Sequence, residues 1–151
     1  MMTQPANKSY LLATMHGLLG VGAIVGGLML TIDPSGGMLN MPVSLLENSP
    51  FANFFIPGMI LLLVLGVFPV VIGMALLKRS HWSLAEKLNL YSERHWAWTF
   101  SLYTGNALLV WIFVQVYFIQ CVTPVHLLYF AWGLGIQVVT LLPETQRRYT
   151  V

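Results

Sequence analysis

Four stretches of this chain, 10–31, 55–77, 96–119 and 124–142, contain no Asp, Glu, Lys or Arg. Each is long enough to cross a hydrocarbon core of ~30 Å as a helix, which takes about 20 residues. Lipid offers the backbone no hydrogen-bond partner, so each stretch must satisfy its own amides as an α-helix. Gly20, Gly26, Gly66, Pro69 and Gly133 fall inside these stretches and are tolerable there, where neighbouring helices can re-satisfy freed backbone groups. Only 8% of the 151 residues are charged and 57% are hydrophobic. That is about a third of the charge of a soluble domain and too little to cover a surface in water. The sequence therefore predicts an all-α fold, an integral membrane four-helix transmembrane bundle forming a single domain over 1–151. The first stretch ends in Thr31-Ile32-Asp33-Pro34, without a small-x-small cleavage site, and reads as a retained span rather than a signal core.

The basic residues orient the bundle. Lys8 precedes the first span; Lys78, Arg79, Lys87 and Arg94 lie in the second connection; Arg147 and Arg148 lie in the tail. The connections 32–54 and 120–123 hold none of the seven Lys and Arg residues, so the positive-inside rule puts both outside and both termini in the cytoplasm of a multi-pass cell-membrane protein. The same scatter gives no clustered basic face for phosphate and argues against nucleic acid as a partner.

The connection 32–54 carries Asp33 and Glu47 as its only charges, together with Met38, Leu39, Met41, Val43, Leu45, Leu46 and Phe51. So apolar a loop is expected to fold over the bundle as an extracytoplasmic cap. Asp33-Pro34-Ser35-Gly36-Gly37 is a strong turn signal, and 42–47 fits a short helix with proline in its first turn. In the connection 78–95, Ser83-x-x-Glu86 has capping-box spacing, and Leu84, Leu88 and Tyr91 recur at helical spacing. This predicts a short interfacial helix between the second and third spans, with Trp82, Trp96 and Trp98 as an aromatic belt. No internal repeat marks an inverted-repeat transporter.

Within the spans, polar and small residues fall on faces. His126, Tyr129, Gly133, Gln137 and Thr140 are spaced by three, four, four and three and share one face of the fourth span. That face is expected to point inward, either as interhelical hydrogen bonds around a glycine or as the lining of a ligand or permeation cavity. Ser9, Ala13, His16, Gly20, Ala23 and Gly27 share a face of the first span that is small everywhere except His16, suited to close helix packing, with Gly22-x-x-x-Gly26 as a second motif of the same kind. His16 is either a satisfied core histidine or a functional group. In the third span, Ser101, Gly105, Leu108, Ile112 and Gln115 form a stripe and Asn106 lies off it, in want of a partner on a neighbouring helix. Pro69 removes one backbone donor from the second span and frees the carbonyl of Leu65.

Several chemistries are poorly served. Cys121 is the only cysteine, so no internal disulfide, thiol pair or multi-thiolate zinc site can form. Asp33, Glu47 and His126 could converge under the cap, but they lack metal-ligand spacing. His16 and His126 lie toward opposite surfaces, which disfavours one haem between them. Leu142-Pro143-Glu144-Thr145-Gln146 resembles a sortase sorting signal, yet glutamine replaces the glycine and the segment follows the last span. No catalytic set, metal or cofactor is expected. The reading that remains is a non-enzymatic binding or assembly component that holds a partner protein, a second copy of itself or a hydrophobic lipid-like small molecule in the bilayer. The alternative is a small oligomeric transporter or channel lined by the fourth span, and a third reading is a membrane enzyme with an outer-face site. The candidate ligand or pathway residues are His16, Asn106, Gln115, His126, Tyr129, Gln137 and Thr140, with Asp33 and Glu47 as polar groups at the outer mouth.

Overall fold

A computed structural model describes residues 6–151; the first five residues of the expected domain lie outside the described range. Helix accounts for 76% of the protein, with no strands among the described residues. Four helices are long and apolar enough to cross a membrane: Lys8–Ile32, Phe55–Lys78, Trp96–Ile119 and Pro124–Leu141. The first is part of α1 (Ala6–Ile32), and the second consists of α2 (Phe55–Leu62) and α3 (Phe68–Lys78) joined by a π-helical turn, Leu63–Val67. Between the second and third long helices lies α4 (Ser83–Lys87); α5 (Trp96–Ile119), α6 (Pro124–Leu141) and α7 (Pro143–Arg148) complete the chain. The π turn sits just ahead of Pro69. Its widened ring is closed by Phe68 N–H bonding back to the Leu63 carbonyl, one residue before the proline that lacks an N–H.

Close approach explains which helices pair. The small face of α1 lies against α2 and α3 along its length, and α5 pairs with α6. A Cβ placed on Gly20 would come within 2.7 Å of the Gly66 carbonyl oxygen, and one on Gly27 within 2.6 Å of the Leu62 nitrogen. Backbone thus rests on backbone, as small-residue helix faces allow. The Gly22-x-x-x-Gly26 motif behaves otherwise, and here the sequence expectation is corrected. A Cβ on Gly22 meets only the Tyr129 hydroxyl, and one on Gly26 only Leu61, each at 3.5 Å. These glycines face open space, because they lie about a third of a turn away from the α2–α3 contact.

Two ends of the bundle can be distinguished. At one, the connection 33–54 folds back as a cap. The Asp33 carboxylate accepts from the Ser35 hydroxyl at 2.6 Å and from the backbone N–H of Met38 at 3.0 Å. The Ser35 hydroxyl, and then the Met38, Ser35 and Gly37 amides, hold its pKa below the ordinary carboxylate value. Gly36 has φ 79°, and a Cβ there would lie 2.1 Å from the Met41 carbonyl, so the turn admits only glycine. The expected short helix is a 3-10 turn, Val43–Leu46, preceded by Pro42. Leu30, Leu46 and Phe54 form a small core beneath the cap.

At the other end, carbonyls left free by helix C-termini are met by aromatic and amide side chains. Trp98 Nε1 donates to the Thr140 carbonyl at 2.8 Å and Gln146 to that of Leu141 at 2.7 Å. Tyr149, 1% exposed, donates to the Leu76 carbonyl at 2.7 Å and contacts the Ser9 hydroxyl. His95 Nδ1 caps α5 by accepting the Ala97 N–H at 3.2 Å; burial lowers its pKa, opposed by the Arg79 and Ser80 carbonyls. The capping box expected at Ser83 and Glu86 is absent. Trp82 is the N-cap without a side-chain bond, and Glu86 instead pairs with His81 at 2.6 Å. Because Ser83 already lies inside the first turn, its hydroxyl cannot reach the free amides that an N-cap serves.

Candidate functional site

The two helix pairs join mainly through α3 and α5, that is, toward the end where the termini lie. Toward the cap they leave a cavity of about 600 Å³, within the usual range for small-molecule sites. Gly22, Ala23 and Gly26 of α1 form one wall, and their missing side-chain volume is what opens the space. Leu108, Trp111, Ile112 and Gln115 of α5 form the facing wall, Val125, His126 and Tyr129 of α6 a third, and Leu39, Met41 and Leu45 of the cap the roof. The lining is overwhelmingly apolar.

The polar face of α6 faces inward and divides in two. His126 and Tyr129 line the cavity. Gln137 donates to the Leu102 carbonyl at 3.1 Å and to Asn106 Oδ1 at 2.7 Å, which supplies the partner that Asn106 requires. Thr140 is fully buried, 2.8 Å from the Ser101 hydroxyl, and its own hydroxyl bonds the Ile136 carbonyl at 2.6 Å. Gly133 lies between them against Leu109. Thus the three residues nearer α7 tie α6 to α5, at roughly 0.6 to 2 kcal/mol for each interhelical hydrogen bond.

His126 is positioned by the start of its own helix. Thr123 is the N-cap and Pro124 occupies the first turn; the Thr123 hydroxyl accepts the backbone N–H of His126 while His126 Nδ1 accepts the backbone N–H of Thr123 at 3.1 Å. This is a capping box with histidine in the place of glutamate. Sequence rules built on Glu or Gln miss it. Gln115 also lines the cavity, as its place on the α5 stripe predicts, whereas the sequence pattern does not mark Trp111, Gly22 and Gly26 as lining. A glycine opposite an aromatic on a facing helix is the signal that could have found them.

The remaining candidates lie elsewhere. His16 is fully buried against α3, its Nδ1–H donating to the Leu12 carbonyl at 2.9 Å. Its Nε2 has no partner among the described residues, and it is not part of the cavity wall. Asp33 is engaged in its own turn, and Glu47 is exposed on the cap. Among the described residues no three His, Cys, Asp or Glu side chains come together as metal ligands, so Asp33, Glu47 and His126 do not converge. No protein-family model, curated protein or solved structure matches this chain.

Proposed function

We propose that this is a multi-pass cell-membrane protein that holds a lipid-like small molecule in the cavity beneath its cap, with the cap outside and both termini in the cytoplasm. One observation carries the binding reading: an apolar space of about 600 Å³ lies between the helices and under a roof that has its own small core. Apolar space is filled by apolar matter when any is at hand, and the bilayer supplies it. Binding is favoured over a route across the bundle because the α6 face is divided. Gln137 and Thr140 are occupied with α5, where a pathway would need them free.

Purification from native membranes into mild detergent, followed by solvent extraction and mass spectrometry, is expected to recover close to one small amphiphile per chain. Gly22→Leu projects into the cavity, where a Cβ finds ordinary contact, and should reduce recovery about tenfold with the fold retained. Equal recovery from the filled variant would sink the reading.

The orientation rests on charge alone. All seven Lys and Arg residues lie toward the end that carries the termini, including Lys8, paired with Glu144 at 2.5 Å. In a Cys121→Ser background, an impermeant thiol reagent should label Ser35→Cys in intact cells, and Ser92→Cys or Thr150→Cys only after permeabilisation. The opposite pattern would invert the topology.

A further inference from the structure

Resting on the binding reading above, the polar atoms of the cavity indicate what head the occupant carries. His126 is only 8% exposed. Its Nδ1 accepts the Thr123 N–H and lies 3.0 Å from the Thr123 hydroxyl. A lone pair engaged in that way leaves no place for a proton on Nδ1, so the neutral ring carries its proton on Nε2 and that nitrogen is a donor. Among the described residues the His126 ring bonds only through Nδ1 and the Tyr129 hydroxyl makes no hydrogen bond, while both residues line the cavity. Neither atom is among the fully buried ones that lack a partner; both belong to residues of the cavity wall, where an acceptor oxygen on an occupant would meet them.

Charge narrows the choice. No Lys or Arg lines the cavity, and the charged residues of the cap are Asp33 and Glu47. A carboxylate or phosphate head would therefore be buried without a counter-charge, which is strongly unfavourable. Size narrows it further. A cavity of about 600 Å³ is the size of an ordinary small-molecule site, matched to one chain with a small head. We infer that the occupant is an uncharged single-chain lipid whose carbonyl oxygen accepts from His126 Nε2 and the Tyr129 hydroxyl.

The test uses three brominated probes of equal chain length: a methyl ester, the free acid held at pH 9, and the alkane. Each is added to the delipidated full-length protein, and binding is read by quenching of Trp111, which lines the cavity. The Tyr129 hydroxyl bonds nothing among the described residues, so Tyr129→Phe should fold normally. The ester should bind at least tenfold more tightly than the carboxylate. Tyr129→Phe should weaken the ester about fivefold, the value of one hydrogen bond of about 1 kcal/mol, and leave the alkane unchanged. A carboxylate that binds as tightly as the ester, or an ester indifferent to Tyr129→Phe, overturns the assignment of the head while the cavity still binds. If neither ester nor alkane quenches wild type more than Gly22→Leu, the binding reading itself fails.

Discussion

Gly27→Leu and Gly20→Leu should each destabilise the bundle by about 3 kcal/mol or more, measured as the unfolding free energy of purified protein in mixed micelles. Gly22→Ala and Gly26→Ala should leave the bundle unchanged or stabilise it by up to about 1 kcal/mol. The contrast follows from what a side chain would meet. At Gly27 the first added carbon would lie 2.6 Å from the Leu62 nitrogen and 2.8 Å from the Gly58 carbonyl oxygen; at Gly20 it would lie 2.7 Å from the Gly66 carbonyl. These are backbone atoms in a helix, unable to rotate aside, so the helices must separate along their length. Overpacking of this kind costs about 1–3 kcal/mol and at times more, which exceeds the ~1 kcal/mol that alanine gains over glycine in a helix interior. At Gly22 and Gly26 the 3.5 Å contacts are ordinary, so only the gain remains. If the four glycines respond alike, close contact of α1 with α2 and α3 does not organise the bundle.

That contact was partly legible because smallness at helical spacing is periodic, and periodicity survives without a structure. What sequence could not supply is the partner of each face. Gly22 and Gly26 satisfy the same spacing rule as Gly20 and Gly27, yet they face a void, since which small face meets a helix depends on where the second long helix lies. The inward polar face of α6 was legible for the same reason as the small face of α1. Its division was not, because Gln137 bonds Asn106 across two helices, whereas His126 bonds only its own N-cap. Local rules failed where a competitor was near: Ser83-x-x-Glu86 has the right spacing, but His81 takes Glu86.

The least legible element is the tail, and the second large effect is expected there. Tyr149→Ala should destabilise the protein by about 3–5 kcal/mol, the cost of deleting a large buried aromatic side chain, although the residue stands third from the end in a polar segment with two arginines. In sequence such a tail reads as solvated. In the structure Tyr149 is inserted at the end of the bundle, with the Arg79 guanidinium 5.4 Å above its ring, its hydroxyl on the Leu76 carbonyl and its own carbonyl accepting the His95 N–H at 2.7 Å. It therefore joins α1, α3 and the start of α5 at one point. Tyr149→Phe separates the two contributions. It keeps the ring but strands the Leu76 carbonyl and the Ser9 hydroxyl, each buried, and should cost about 1–3 kcal/mol. Hydrogen exchange should report the loss locally as well, with faster exchange at His95 and Val151, whose N–H groups bond Tyr149 and Glu93. The Gly36 turn at the capped end should be unaffected. A Tyr149→Ala protein that unfolds within 1 kcal/mol of wild type would mean that the tail rests on the bundle without holding it, and that the helices meeting there are fixed by their own contacts.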